Sequence, residues 1–389
     1  QKALVVAEVA LALVLLSGAG LMIRSFARLS LIDSGLDPTN VLTMRLSISH
    51  ERYPKEEQRA AFYARVAARL RELPGVSSVA YTSTIPLSGG GIVGGVLIEH
   101  QPVPTSLYKT PIVRSEAVTI DYFRTLGIPL LKGREFREND KKEAPSVVIV
   151  NDAFSRRFFP DEDPIGKRIK IGPFDDPWQS IVGVVRGVRG AALETEPEPE
   201  VYIPFVQRPD WDLALLLRTT VDPRMIAAAA HKEIQREDKE MPIFHVETMN
   251  QIVSNSISQR RFSVLLMSIF ATVALLLAAA GIYGVMSYLV TQRTQEIGVR
   301  MALGAQRSDV IKLIISQGLI LVFIGLVIGL ITSLALTRVI KSFLFGISAT
   351  DPLTLLVVSV LLVVVALISN LIAVLRATRI DPLVALRYE

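Results

Sequence analysis

The residues able to do chemistry in this chain are scattered rather than gathered. Its four histidines, His50, His100, His231 and His245, share no ligand spacing, and a metal site needs donors that converge. No cysteine is present, which removes thiolate metal sites, disulfide staples and a cysteine nucleophile together and leaves the redox compartment open. Serines are plentiful, but none stands in the Gly-x-Ser-x-Gly elbow that exposes a nucleophile. Asp161, Glu162 and Asp163 run into Pro164 and read as a turn. Leu87-Ser88-Gly89-Gly90-Gly91 looks like the signature loop of an ATPase, yet the chain has no phosphate-cradling Gly-x-x-x-x-Gly-Lys-Ser/Thr loop. Gly166-Lys167-Arg168 lacks both the upstream glycine and the hydroxyl that would hold magnesium, so 87–91 reads as a flexible surface loop. The acid–proline alternation of Glu194–Glu200 reads as an extended, solvated lead into a strand. These patterns predict no catalytic residues, no cofactor and no metal, and the chain is not expected to be an enzyme.

One segment offers binding chemistry of another kind. In 293–307, Glu296 and Arg300 form a favourable i, i+4 pair on a short helix. Ile297, Met301 and Arg293 share a neighbouring face, so apolar and basic groups are presented together. Gly304 suits a left-handed helix end, and Ser308-Asp309 are expected to cap the helix that follows. Two readings stand side by side: an interfacial helix that only lies on lipid, and a coupling element that docks on a cytoplasmic partner through Arg293, Glu296, Gly298, Arg300, Gly304 and Arg307.

Apolar rods flank this segment. The chain is 50% hydrophobic and 20% charged, below the roughly 25% of a soluble chain, and its mean hydropathy is +0.41. Phe262–Gln292, Leu313–Thr337 and Pro352–Leu375 contain no charge at all, and Ala3–Ile23 contains only Glu8. A helix needs about 20 apolar residues to cross a bilayer, so four spans are expected. The last three are centred on about 264–290, 313–337 and 352–375. The second is longer than a crossing requires and is expected to project as a stalk. Glu8, close to one end of its span, is expected to snorkel.

Lys2, Arg293, Arg300, Arg307, Lys312, Arg376, Arg379 and Arg387 collect on one side, against Arg338 and Lys341 in the short loop on the other. Arg24, Arg28, Arg260 and Arg261 also flank the large domain on that other side but count less, because long domains cross largely regardless of charge. This bias places both termini and the 293–312 loop in the cytoplasm. Basic residues at bilayer edges also account for the net charge of +5, so no nucleic acid is expected as a partner. Gly325-x-x-x-Gly329 offers a small-residue face on which a second helix can pack closely.

Between the first two spans the pattern turns to alternating strands and helices. Val41–Ile48, Val76–Tyr81, Ser146–Val150, Ser180–Val188, Val201–Phe205 and Leu213–Thr219 read as strands. Lys55–Leu73 reads as a helix with Phe62, Val66, Leu70 and Leu73 on one face, stopped by Pro74-Gly75. Asp152–Phe159 and Pro223–Arg236 read as helices too. The expected architecture is four transmembrane helices plus an α+β domain of two lobes. Its division is 1–30 for the first helix and stalk, 31–258 for the domain, and 259–389 for three further helices with the 293–312 loop.

These segments resemble a known family. Glu296-Ile297-Gly298-Val299-Arg300-Met301-Ala302-Leu303-Gly304-Ala305 is similar to the loop after the second span of FtsX-like and MacB-like permeases. Ala377–Glu389 resembles the tail of that superfamily. Tyr122–Phe136 and Val148–Phe154 resemble the MacB-like periplasmic core. Ala3–Leu11 and Leu21–Phe26 look like the second half of the duplicated orphan permeases described from acidobacteria, and a chain that starts at Gln1 is read as a piece of a longer one. The resemblance implies an ABC-type permease subunit of the bacterial inner membrane that carries ATPase-driven motion to a periplasmic domain, for efflux or envelope processes. The implied partners are a cytoplasmic ABC ATPase, a second permease module in tandem or as a dimer, the lipid bilayer and a periplasmic protein. The other reading is a non-transporting scaffold that regulates a periplasmic partner such as a cell-wall hydrolase.

Overall fold

A computed structural model describes residues 2–102, 110–172, 177–190, 192–209, 211–292, 307–340, 348 and 350–377. In chain order its elements are α1 (Lys2–Ser30), β1 (Val41–Ser47), α2 (Glu56–Arg71), β2 (Val76–Thr82), β3 (Ile92–Ile98), β4 (Ile112–Val118), α3 (Tyr122–Leu126), β5 (Leu130–Gly133), β6 (Val147–Asn151), α4 (Asp152–Phe158) and β7 (Arg168–Ile171). They continue with β8 (Gln179–Val185), β9 (Glu200–Pro204), β10 (Asp212–Thr219), α5 (Pro223–Glu237), β11 (Ile243–Thr248), α6 (Met249–Ser256), α7 (Ser258–Gln292), α8 (Arg307–Ile340) and α9 (Pro352–Ala377). The chain divides into a helical unit, Gln1–Leu31 with Gln259–Glu389, and an α+β unit, Ile32–Ser258.

The α+β unit has two lobes. In the first, β11-β1-β10-β2 form an antiparallel sheet. The alternation in β1 sends Leu42, Met44 and Leu46 to one face, where they meet Phe62, Val66 and Leu70 of α2 and Ile226, Ala230 and Ile234 of α5. The apolar spacing of both helices therefore buries the stripe it predicts, except that Leu73, expected on the same face, lies past the end of α2 and is only partly buried. Pro223 occupies the first turn of α5, where its missing N–H costs nothing, and Asp222 caps Arg224 N–H at 2.9 Å. Gly75 ends the α2 turn at φ +89°, a conformation that a side chain would disfavour.

The second lobe is a closed ring of strands. β4-β3-β7-β8-β6-β9 follow one another, and β9 returns to pair in parallel with β4. The ring encloses Val148, Val150, Ile169, Ile181, Val184, Val201 and Phe154, and closure leaves these six strands no open edge. A single pair, Thr82 with Val118, joins the β2 edge of the first lobe to the ring. Asn151 pins the ring internally. Its Oδ1 accepts from Phe154 N–H at 2.8 Å, which caps α4, and from Glu200 N–H at 3.1 Å, while its Nδ2 donates to Glu198 O at 2.7 Å.

In the helical unit, α1, α7, and segments Ile315–Leu336 and Pro352–Leu375 are each long and apolar enough to cross a membrane.

Candidate functional site

The segment expected to meet a cytoplasmic partner is bracketed by the two longest helices. Arg293, Glu296, Gly298, Arg300 and Gly304 lie outside the described residues, as does the tail from 378 onward. Arg307 is the first residue of α8, its side chain also outside them. Because the helix already begins there, Ser308 and Asp309 fall inside its first turn instead of capping it. α7 has 35 residues and is therefore about 52 Å long, well beyond the roughly 30 Å of a hydrocarbon core.

α7 buries only one narrow stripe: Ala271, Ala274, Ala278, Ile282, Met286 and Val290. Leu265, Ile269, Phe270, Val273, Leu276 and Leu277 on its other faces are exposed, which suits contact with lipid. α1 is the hub of the unit. Gly325 and Gly329 of α8 both lie against it: a Cβ at Gly325 would stand 2.8 Å from Val9 Cβ, and one at Gly329 would stand 3.0 Å from Ala10 O. The Gly-x-x-x-Gly face is thus occupied within the chain. At its far end α1 is tied to α9, where Arg24 pairs with Asp351 and donates to Thr354 Oγ1 at 3.3 Å. Asp351 in turn accepts from Thr354 N–H at 3.0 Å, capping α9.

Glu8 does not snorkel. Its Oε2 is buried without a hydrogen-bond partner and fills the place that a Cβ on Gly281 of α7 would take. The glycine leaves a hollow at the helix crossing, and the carboxyl turns into it. Asn370 of α9 is likewise fully buried with neither amide atom partnered, lying flat against Gly318 of α8. Glu8 was visible in the sequence as a lone charge; the glycine facing it, on another helix, was not.

The α+β unit holds a buried polar cluster that the sequence did not signal. The parallel register of β4 and β9 sets Arg114 beside Glu200 and Glu116 beside Tyr202. Glu116 accepts from Ser83 Oγ at 2.7 Å, and Glu200 accepts from Tyr202 Oη at 2.7 Å. Burial, reinforced by the Glu200 charge, pushes the Glu116 carboxyl up to about 8. Burial also raises Glu200, against the Tyr202 hydrogen bond and the Arg114 charge. Glu200, expected in a solvated stretch, is 7% exposed because closure of the ring carries it inside. Arg114 donates to Gly90 O, so the cluster also holds the glycine-rich loop.

No group of three or more His, Asp or Glu side chains among the described residues is placed to hold a metal. His50 stacks on Trp211 at 3.8 Å, and the other three histidines stand in separate elements or loops.

The family model for the MacB-like periplasmic core domain matches residues 5–236, more than half of the chain, and that for the FtsX-like permease C-terminal region matches 268–382. The chain belongs to the MacB/FtsX-like ABC permease family. Among curated relatives of this permease, the macrolide export ATP-binding/permease protein MacB of Chromobacterium violaceum is 26% identical over 317 residues, covering 78% of this chain and 48% of the relative. MacB of Agrobacterium fabrum is 26% identical over 288 residues, covering 69% and 42%. The uncharacterized ABC transporter permease YvrN of Bacillus subtilis is also 26% identical over 288 residues, covering 69% of this chain and 68% of its own. The permease chain thus spans about half the length of the MacB relatives it matches. Among solved structures, the periplasmic region of MacB from Actinobacillus actinomycetemcomitans aligns at a TM-score of 0.40 and 14% identity, over 59% of this chain and 97% of that one. The extracellular domain of the noncanonic ABC-type transporter YknZ aligns at 0.36 and 14%, over 53% and 100%. In this permease the core-domain match runs from α1 through most of α5, and the FtsX-like match takes most of α7, all of α8 and α9, and the start of the tail.

Proposed function

We propose that the chain is the motion-transmitting subunit of an ABC-type system, of the kind found as the second half of a duplicated orphan permease. A separate cytoplasmic ATPase binds the 293–307 segment and displaces it during its nucleotide cycle, and the long α7 carries that displacement to the 31–258 domain, which lies in the periplasm. A second four-helix module, in tandem or as a dimer, completes the unit for efflux or an envelope process. The observation that carries the reading is the placement of an amphipathic, basic segment between two helices longer than a bilayer, in a chain with no nucleotide-binding loop of its own. The narrow buried stripe of α7 supports it, since a helix that packs along one line shifts at lower cost than one buried all round. The positive-inside bias sets the orientation.

The test is recovery of a protein carrying a Gly-x-x-x-x-Gly-Lys-Ser/Thr loop with the affinity-tagged full chain from its native membranes. The Arg300→Glu variant, inserting normally, should lose about tenfold or more of that recovery, as expected for reversing a charge-assisted contact. Undiminished recovery would remove the docking role.

A further inference from the structure

Leu87 and Ser88, which open the glycine-rich loop, line a groove in the first lobe. The groove encloses about 380 Å³ and is bounded by Arg45 of β1, Ile85 ahead of the loop, Leu87 and Ser88 within it, Phe244, His245 and Glu247 of β11, and Ile252 with Asn255 and Ser256 of α6.

Several independent features converge on it. Leu87 and His245 are two of the four described non-glycine residues with positive φ, at 64° and 50°. A branched aliphatic residue there is a strained outlier, and such strain clusters at ligand clamps. Leu87 is held in place by its N–H to Gly190 O at 2.8 Å. The β1–β11 register slips between Thr43 and Arg45, and a bulge of this kind re-aims side chains at binding sites. Arg45, half-buried on the groove wall, makes no ion pair or side-chain hydrogen bond among the described residues, although a desolvated guanidinium seeks an anionic partner. Ile85, Leu87 and Ile252 provide an almost fully buried apolar floor, and the Phe244 ring, 40% exposed, provides an open side.

We propose that this groove binds an amphiphile carrying one acidic group, a carboxylate or a phosphate, on an apolar body. Arg45 takes the acid in a bidentate pair, and Ile85, Leu87, Ile252 and Phe244 cover the apolar part. Glu247 in the same groove disfavours a head with several negative charges. Asn255 and Ser256 on its rim stand just ahead of Ser258, where α7 begins, so the chain itself ties this groove to a membrane-length helix. The proposal does not depend on ATPase coupling.

The test uses the full chain in phosphatidylcholine nanodiscs, irradiated with palmitate that carries a diazirine on its chain, with adducts mapped by mass spectrometry. Adducts are expected on residues 85–88 and 244–256. Arg45→Gln should reduce them about tenfold or more while Arg45→Lys, which keeps the charge but not the two-pronged fork, falls between, and the unfolding temperature should be unchanged because Arg45 has no partner among the described residues to lose. In the unmodified chain, palmitate and lysophosphatidate should compete, and which competes better identifies the acid. Palmityl alcohol and inorganic phosphate should not. Adducts confined to α1 and α7–α9, equal competition by palmityl alcohol, displacement by inorganic phosphate alone, or indifference to Arg45→Gln would each overturn the proposal.

Discussion

Glu116 shows how one side chain ties this fold to pH. Its carboxyl rises from an ordinary 4.5 to about 8 because burial disfavours its charge and Glu200 lies nearby. The folded chain therefore holds a proton that the unfolded chain releases. That contribution to stability is complete below 4.5 and is lost as pH climbs toward 8. The unfolding temperature of the full chain should accordingly fall between about pH 5 and about pH 9. Glu116→Gln, which keeps an acceptor for Ser83, should flatten most of that fall, leaving a residual slope from Glu200. A profile as steep in the variant as in the original chain would show that another group sets it. Glu116 carried no signal in the sequence, because its burial comes from β9 arriving in parallel beside β4, about 85 residues later in the chain.

At the scale of elements, glycine placement decides how closely the helices approach. Gly325→Ala puts a Cβ 2.8 Å from Val9 Cβ and 3.1 Å from Val6 O, against backbone and branched side chain that cannot swing away. Overpacking of this kind should cost about 1–3 kcal/mol. Gly281→Ala collides instead with the flexible end of Glu8, so the carboxyl should move and the loss should be smaller. Gly284 has nothing within 4 Å of a Cβ, and Gly284→Ala should leave stability equal or raise it by about 0.5–1 kcal/mol, since alanine is the better helix former. Thermal unfolding of the three variants in one detergent should rank them in that order, with Gly325→Ala least stable. The small-residue face was legible from spacing alone; that α1 of the same chain covers it was not, because spacing names a surface and not its occupant.

For the whole molecule the question is which side each part faces. The chain contains no cysteine, so single substitutions can be labelled without background. With the basic bias read as positive-inside, Lys239→Cys in the α+β unit should react with an impermeant maleimide from the periplasmic side. Lys312→Cys near the start of α8 should react only after the inner membrane is opened. The reverse pattern would leave the 293–307 segment unable to meet a cytoplasmic ATPase, and the transmission mechanism would fall with it.

The membrane-length helices, six of the eleven described strands, and the faces that α2 and α5 bury were legible from the chain alone. These depend on local periodicity and on lengths set by the helical rise and the bilayer. The sequence also carried the family, through motifs spread along the chain. Folding in three dimensions was needed to close β9 on β4, to bury Glu116 and Glu200 in one cluster, to turn Glu8 into Gly281, and to set a glycine-rich loop, a bulge and Arg45, unpaired among the described residues, around one groove. Each of these joins residues distant in the chain, and their meeting is fixed by strand register and helix crossing, which no local pattern encodes.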